Sequence, residues 1–225
     1  MRVNISRPVV ELIGAAGLAA AVVGSGIAAT GLSDDVGVQL LINAIATAFA
    51  LFVLITVLGP LSGAHLNPVV SIVDAALGAR PWREVAVYVV AQIVGCILGT
   101  MLANLMFELP MAAFSTTDRV TVGHLLAEVV ATAGLVFVVF ALVRTGRAAL
   151  AAPAVAAYIG GAYFFTSSTS FANPAITIGR MFTDTFAGIA PTSVLPFIGA
   201  QLVGAALAYL AVRLLISSKP EHLPG

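Results

Sequence analysis

Six stretches of this sequence are long and apolar enough to cross a lipid bilayer, and no other feature constrains the fold as strongly. A bilayer core of ~30 Å needs about 20 apolar helical residues per span. The stretches cover residues 9–29, 38–58, 85–107, 122–143, 148–166 and 194–216. With 10 basic and 10 acidic residues among its 225, the chain has too few charges to cover a surface that faces water. The sequence therefore predicts an all-α integral membrane protein and excludes a soluble enzyme and a nucleic-acid-binding protein.

Two further apolar segments are too short to cross a bilayer. One follows Asn67 and ends near residue 77, and the other follows Asn173 and ends near residue 182. Each opens with Asn-Pro, and proline is typical of the first turn of a helix. Irregular backbone at membrane depth is tolerated only where it is buried in protein or lines a watery cavity. We therefore predict six transmembrane helices and two re-entrant half-helices that enter from opposite sides.

The distribution of basic residues predicts how the chain is oriented in the membrane. With both termini on one face, eight of them fall on that face: Arg2, Arg7, Arg80, Arg83, Arg144, Arg147, Arg213 and Lys219. Arg119 and Arg180 fall on the other face. Because loops rich in lysine and arginine stay in the cytoplasm, we expect a multi-pass protein of the cell inner (plasma) membrane with both termini cytoplasmic. A cleaved signal peptide is the alternative for the first span, but its length and Glu11 within it argue against cleavage.

The two halves of the sequence resemble each other. The matched positions are Glu11 with Glu128, Asn67 with Asn173, and Gln92 with Gln201. Three spans per half is an odd number, so the second half must be inverted relative to the first. Inverted repeats with broken helices place a transport site at the repeat interface. We expect a single membrane channel domain over residues 1–225, with an inverted 3+3 repeat at about 8–107 and 122–216 and a linker at 108–121.

Two motifs carry a specific resemblance. Residues 62–69 read Ser-Gly-Ala-His-Leu-Asn-Pro-Val, and residues 173–175 read Asn-Pro-Ala. Together with the paired glutamates and glutamines, they resemble the aquaporin and aquaglyceroporin family, the major intrinsic proteins, over essentially the whole chain. The resemblance implies the aquaporin fold and a passive channel for small neutral solutes and water, without a cofactor. It also implies a homotetramer in membrane lipid, with one pore per subunit.

The resemblance implies that the two Asn-Pro motifs meet at the centre of the pore. Two helix N-termini there, each with about half a positive charge, repel cations and disfavour proton passage. A capping asparagine also aims its NH₂ group at a passing solute. The pore-motif residues are Asn67, Pro68, Val69, Asn173, Pro174 and Ala175. The alternative is that each Asn-Pro is a simple turn. Val69 replaces the usual alanine, so we expect it to narrow or dry the pore centre.

Glu11 and Glu128 lie inside spans, where an ionised group costs several kcal/mol. They form either a proton relay or structural supports that accept hydrogen bonds from the loops carrying the half-helices. Their symmetric placement favours structural support. For His65, two residues before Asn67, a structural role is favoured over a pH-sensitive gate at the cytoplasmic pore mouth.

The resemblance also implies a selectivity filter built from four positions. Carrying the family pattern over without gaps assigns them to Thr47, Gly161, Ser170 and Ile176. Most family members have arginine where Ile176 stands, so this filter lacks that positive charge and gains an apolar wall. Small partners widen the opening. We therefore expect a filter that passes glycerol and other polyols, urea and undissociated metalloid acids such as arsenous acid (arsenite), because bacterial members without this arginine include arsenical channels.

Two features of the filter stay open at the level of sequence. A shift in the register of a span would bring an aromatic ring into the pore; the candidates are Phe49, Tyr163, Phe164 and Phe171. Arg180 lies one helical turn beyond Ile176. It either reaches the outer vestibule and restores positive potential there, or is anchored at the interface by Asp184. The second alternative is favoured.

Other classes of protein remain as alternatives. A secondary transporter of a small solute uses the same inverted-repeat architecture, but only the two glutamates qualify as an ionisable site at the midplane. A membrane enzyme is disfavoured because the sequence has no nucleophile–base pair, metal-ligand cluster or phosphate-binding loop. A structural junction protein is the third alternative. The polar tail at residues 217–225 identifies no partner. We predict a channel that is not an enzyme and holds no metal.

Overall fold

The structure is a computed structural model that describes residues 6–216, and within that range the backbone forms eight α-helices. They are α1 (Ser6–Leu32), α2 (Val36–Ser62), α3 (Pro68–Ala76), α4 (Trp82–Met106), α5 (Val122–Arg144), α6 (Ala151–Phe165), α7 (Pro174–Gly179) and α8 (Pro191–Leu215). Two 3-10 turns, Ala148–Leu150 and Arg180–Phe182, precede α6 and follow α7. Arg2, Lys219 and the tail at 217–225, which entered the predictions above, lie outside the described residues.

Six of these helices are long and apolar enough to cross a membrane: α1, α2, α4, α5, α6 with its preceding 3-10 turn, and α8. Each overlaps one predicted span, and the boundaries differ by a few residues. For example, α2 continues past the predicted end at residue 58, through Pro60 to Ser62. It ends there because Gly63 adopts the left-handed conformation (φ 96°) and donates its N–H to the carbonyl of Gly59 at 2.9 Å. The prediction of a multi-pass membrane protein is confirmed.

The two short helices, α3 and α7, are the predicted half-length helices. Asn67 caps the first and Asn173 caps the second, and a proline follows each cap at the start of the helix. The second is shorter than predicted, because α7 ends at Gly179 and the chain continues as a 3-10 turn. Both half-helices pack against α4 and α8. The prediction of an all-α fold with six spanning helices and two half-helices is confirmed.

Small residues set the distance between helices in each half. A Cβ added at Gly99 in α4 would lie 2.1 Å from the carbonyl oxygen of Ala16 in α1. In the second half, a Cβ added at Gly204 in α8 would lie 2.5 Å from the carbonyl oxygen of Val129 in α5. Because real atoms cannot approach so closely, only glycine permits these helix contacts.

The segment between α4 and α5 contains no helix and lies across the loop that follows α7. The N–H of Ala113 donates to the carbonyl of Phe182 at 3.2 Å, and the N–H of Ser115 donates to that of Met181 at 3.0 Å. In return, the carbonyl of Thr117 accepts the N–H of Ala190 at 2.7 Å. The segment therefore braces the end of the bundle at which Arg180 is located.

Candidate functional site

Asn67 and Asn173 lie where the two half-helices meet. The Oδ1 atom of Asn67 accepts the N–H of Val69 at 3.1 Å. The Oδ1 atom of Asn173 accepts the N–H groups of Ala175 at 3.0 Å and Ile176 at 3.3 Å. Each side-chain carbonyl therefore satisfies N–H groups that have no partner inside their own half-helix. This arrangement leaves the amide nitrogens free to bond elsewhere.

The amide nitrogens of the two asparagines tie the motif loops together. Asn67 Nδ2 donates to the carbonyl of Ala172 at 2.8 Å, and Asn173 Nδ2 donates to the carbonyl of Leu66 at 2.8 Å. A primary amide has two N–H donors, so one more remains on each side chain. Both asparagines line the cavity described below. The remaining donors are therefore placed to bond a molecule inside it.

Glu11 is fully buried in α1 and holds the loop before α3. Its Oε1 atom accepts the hydroxyl of Ser62 at 2.6 Å and the N–H of His65 at 3.0 Å. Its Oε2 atom accepts the N–H of Leu66 at 2.7 Å and Nε2 of Gln92 at 2.8 Å. Four donors thus surround one carboxylate, which offsets the cost of burying its charge.

Glu128 repeats this arrangement in the second half. Fully buried in α5, it accepts the hydroxyl of Ser168 at 2.7 Å and the N–H of Phe171 at 2.9 Å through Oε1. Through Oε2 it accepts the N–H of Ala172 at 2.9 Å and Nε2 of Gln201 at 2.7 Å. The two carboxylates therefore have the same donor types in the same order, and both hold the loop that precedes a half-helix.

A cavity lies between the halves of the molecule, with an empty volume, open mouths included, of about 810 Å³. Its walls come from α1, α2, α5 and α6 and from the segments that contain the two motifs. Most lining side chains are aliphatic. Its polar or charged side chains are Thr47, His65, Asn67, Tyr163, Ser170, Asn173 and Arg180. The cavity is thus an apolar passage with a few polar positions, and the asparagine pair is among them.

Three of the four predicted filter residues line this cavity: Thr47, Ser170 and Ile176. The fourth prediction, Gly161, is wrong, because this residue is exposed on the outer face of α6 and does not contribute to the lining. Tyr163 takes that place, and its hydroxyl lies 3.0 Å from Thr47 Oγ1. Two residues correspond to about 200° of helix rotation, so this shift moves the lining position from one face of α6 to the other.

Of the six pore-motif residues, the two asparagines are the ones that line the cavity. Pro68, Pro174 and Ala175 are buried at the starts of the half-helices. Val69 is fully buried in an apolar cluster, and its neighbour Val70 lines the cavity instead. The expectation that Val69 narrows the pore centre is therefore wrong. Adjacent helical residues point about 100° apart, which turns Val69 away from the passage.

The candidate aromatic residues divide into two groups. Phe49 is 69% exposed and Phe164 is 53% exposed, so both face outward. Tyr163 and Phe171 are buried and line the cavity. The cavity lining therefore contains two aromatic side chains, Tyr163 and Phe171, that the gapless filter assignment omitted.

Arg180 lines the cavity and is not anchored by Asp184. Its guanidinium carbon lies 3.5 Å from the centroid of the Phe171 ring, and its Nε donates to the carbonyl of Ala187. Asp184 instead accepts the N–H of Thr116 at 2.9 Å and its hydroxyl at 3.1 Å. Those bonds hold the pKa of the Asp184 carboxyl below its ordinary value. The favoured alternative for Arg180 is thus wrong, and the arginine reaches the passage.

His65 lies in the cavity wall beside the start of α3. Its Nδ1 atom is 3.0 Å from Ser71 Oγ, and its Nε2 atom is 3.7 Å from Asp74 Oδ2. The ring packs edge-on against Tyr88 at 5.7 Å between centroids. Asp74 also accepts Nε of Arg80 at 3.1 Å. Both ring nitrogens therefore have polar neighbours within the protein.

Arg119 lies in the same region as Arg180. Arg119 was not identified from the sequence as a candidate site residue. Its Nε donates to the carbonyl of Gly188 at 2.7 Å, and its Nη2 donates to that of Phe186 at 3.0 Å. Its guanidinium carbon lies 5.4 Å from the centroid of Phe171. The predicted membrane topology could have identified it, since Arg119 and Arg180 are the two basic residues assigned to the face opposite the termini.

Comparison with known proteins agrees with this geometry. Residues 2–169 match the family described as major intrinsic protein, a range that contains the first Asn-Pro motif and ends before the second. Aquaglyceroporin AqpS from Rhizobium meliloti is 48% identical over 210 residues, which cover 93% of this chain and 90% of that protein. Glycerol uptake facilitator protein from Streptococcus pneumoniae is 40% identical over 110 residues, which cover 44% of this chain and 45% of that protein.

The fold is also shared with a solved structure. The X-ray structure of the aquaglyceroporin from Plasmodium falciparum has a TM-score of 0.75 with this chain, covering 94% of this chain and 96% of that one. At 19% identity, this likeness concerns the fold alone. The match to the family covers well over half of the chain, and the relative at 48% identity spans nearly all of it. The chain therefore belongs to the major intrinsic protein family, whose members are membrane channels and not enzymes.

Proposed function

We propose that this protein is a passive channel that conducts glycerol and other small uncharged solutes together with water. The observation that carries the proposal is the cavity into which both capping asparagines open. Relatives named an aquaglyceroporin and a glycerol uptake facilitator support glycerol as the solute. Urea and undissociated arsenous acid belong to the same class, because they are small, neutral and rich in hydrogen-bonding groups.

The centre of the passage has donors that suit a neutral solute. Each asparagine uses one amide hydrogen to bond the opposite loop, at 2.8 Å in both cases, and keeps the other for the cavity. The N-termini of the two half-helices add partial positive charge at the same place. A solute oxygen is stabilised there by two fixed donors, whereas a cation meets unfavourable potential.

The filter residues support a solute with both polar and apolar faces. Thr47 and Tyr163 have hydroxyls 3.0 Å apart, and Ser170 Oγ has no hydrogen-bond partner within residues 6–216. Ile176 and Phe171 supply apolar wall in the same cavity. A polyol matches this arrangement, because its hydroxyls bond the polar side and its carbon backbone contacts the apolar side.

The contacts of Glu11 and Glu128 favour a channel over a secondary transporter. Each carboxylate accepts four hydrogen bonds and is fully buried, so neither is placed to bind a coupling ion in the passage. We further propose an inner-membrane location with cytoplasmic termini, a single channel domain with inverted repeats, and a homotetramer. The charge pattern supports the orientation. The family resemblance supports the tetramer.

Stopped-flow light scattering on proteoliposomes tests the channel function. We expect wild-type protein to raise permeability to water, glycerol, urea and undissociated arsenous acid above that of protein-free liposomes. Thr47→Trp should lower glycerol flux by roughly tenfold or more, because the indole fills the passage beside Tyr163. Phe49→Trp is the matched control, because residue 49 lies on the same helix and faces outward.

The outcomes separate the alternatives. Water flux without glycerol or arsenous acid flux would contradict the proposed range of solutes. Flux that saturates and requires a proton or sodium gradient would favour the transporter. Equal loss of flux in Thr47→Trp and Phe49→Trp would show that the effect of the first variant is not a block of the cavity.

A further inference from the structure

A positively charged side chain lies in the cavity wall beyond the second motif, although the residue directly after that motif is Ile176. Arg180 follows four residues later, about 6 Å further along a helical path. It is only 3% exposed and lines the cavity. We propose that Arg180 supplies the positive charge of the constriction in this protein and thereby sets its exclusion of cations. This inference rests on the proposed channel function.

The guanidinium of Arg180 is held in place on two sides. It stacks on Phe171 at 3.5 Å from the ring centroid, and Phe171 packs edge-on against Phe197 at 5.3 Å between centroids. Its Nε donates to the carbonyl of Ala187. A planar guanidinium that is stacked and hydrogen-bonded has few alternative positions. The charge is therefore part of the wall and not a mobile side chain at the rim.

The charge of Arg180 has no carboxylate partner within residues 6–216 at ion-pair distance. The ion pairs in this range involve Asp74 and Glu84, and their partners are His65 and Arg80 near the first motif. Asp184, the nearest acidic residue in sequence, is bonded to Thr116. The buried carboxylate of Glu128 also acts electrostatically on this region, but it accepts four hydrogen bonds of its own and faces two guanidinium groups, those of Arg180 and Arg119. The two positive charges outnumber this one negative charge, and their sign opposes the entry of a cation.

Arg119 strengthens the same field and braces the same loop. Its guanidinium carbon lies 5.4 Å from the centroid of the Phe171 ring, on which Arg180 also stacks. Its hydrogen bonds go to the carbonyls of Phe186 and Gly188, which flank the carbonyl that Arg180 uses. Arg119 is thus a positioning residue, whereas Arg180 is the one that reaches the cavity lining.

The surroundings of Arg180 indicate what it admits. Within the described chain, Nε is the guanidinium atom that donates to a protein acceptor, so the terminal nitrogens are available to a solute. The same cavity contains the free hydroxyl of Ser170 and the Thr47–Tyr163 hydroxyl pair. A neutral solute with several oxygen atoms can accept from the guanidinium and bond the hydroxyls. A cation can do neither without meeting the charge.

Charge selectivity of proteoliposomes tests the role of Arg180. Two fluxes are measured for each variant: glycerol, and methylammonium under an imposed inside-negative potential. We expect Arg180→Gln to raise methylammonium permeability by about tenfold or more, because a nearby unit charge dominates the barrier at intermediate dielectric. Glycerol flux shows that each variant is folded and open, so methylammonium permeability is compared as its ratio to glycerol flux in the same preparation. Arg83→Gln is the matched control, because Arg83 is exposed and is not among the residues that line the cavity.

Two further variants keep the test decisive if Arg180→Gln folds poorly. Arg180→Lys retains the charge and should exclude methylammonium as wild type does. Ile176→Arg combined with Arg180→Gln should restore exclusion by returning a cation to the passage one turn away. Unchanged methylammonium exclusion in folded, glycerol-conducting Arg180→Gln would overturn the proposal, and so would methylammonium entry through Arg180→Lys. Absence of any solute flux in the wild type would overturn the proposed channel function itself.

Discussion

At the scale of single residues, two buried carboxylates hold the loops from which the half-helices start. Glu11 and Glu128 each accept two backbone N–H groups, one hydroxyl and one glutamine amide. A carboxylate is the side chain that offers only acceptors, and these sites contain only donors. Replacing it with an amide would place a donor against donors, even though the shape stays the same.

We expect Glu128→Gln to lower stability by roughly 2–5 kcal/mol, because one carboxylate oxygen becomes an NH₂ group and leaves two buried donors without an acceptor. The donors at Oε2 are the N–H of Ala172 and Nε2 of Gln201, and those at Oε1 are Ser168 and Phe171. The measurement is thermal unfolding of purified protein in detergent. Glu108→Gln is the control, because residue 108 is exposed between α4 and α5. Equal melting temperatures for the two variants would contradict the structural role.

The sequence predicted these anchors more securely than the filter. The anchors occur as matched pairs in the two halves, Asn67 with Asn173 and Glu11 with Glu128. Within each pair, the position of one residue supports the assignment of its counterpart. The lining of α6 has no such support: its residues are apolar around the whole circumference, and a helix of that kind has no polar face to indicate which side meets the passage. Gly161 was assigned by carrying the family pattern over without gaps, and α6 offered no polar face against which to check that register.

At the scale of elements, Asn-Pro starts and long apolar stretches predicted all eight helices. The start of a helix can be predicted from nearby sequence, because capping side chains and proline act within one turn. The segment from 108 to 121 has no periodic pattern, and its contacts with the loop after α7 depend on partners about 70 residues away. Sequence reasoning therefore identified it as a linker but could not foresee that it braces the region of Arg180.

The close contact of α1 with α4 is an element-scale feature that a single methyl group tests. Gly99→Ala would place Cβ 2.1 Å from the carbonyl oxygen of Ala16, so the helices must separate, and we expect a loss of roughly 1–3 kcal/mol. Gly199→Ala in α8 is the matched control, because a Cβ there meets nothing within 4 Å. Alanine is the better helix former, so the control should be neutral or slightly stabilising.

Thermal unfolding in detergent and the yield of folded protein measure both glycine variants. The expected order of melting temperatures is Gly199→Ala at or above wild type, and Gly99→Ala below it. A Gly99→Ala variant as stable as Gly199→Ala would show that α1 and α4 separate without cost, contrary to the close backbone approach.

At the scale of the whole molecule, the outer surface is apolar along the spanning helices. Large aliphatic and aromatic side chains of α2 are exposed, among them Phe49, Val53 and Val57. Exposed apolar side chains are expected where lipid or another subunit covers a helix. Exposed charged residues include Arg147, in the loop assigned to the cytoplasm, and Asp34, in the loop assigned to the opposite side. These two positions permit a direct test of orientation.

Cysteine labelling in intact cells tests whether the termini are cytoplasmic. The chain has one cysteine, Cys96, which is fully buried, so background labelling should be low. Asp34 and Arg147 are both exposed in loops. We expect a membrane-impermeant maleimide to label Asp34→Cys in intact spheroplasts and to label Arg147→Cys only after the membrane is permeabilised, because the basic loops stay in the cytoplasm. The reverse pattern would place the termini outside, and the two half-helices would then enter from the sides opposite to those proposed.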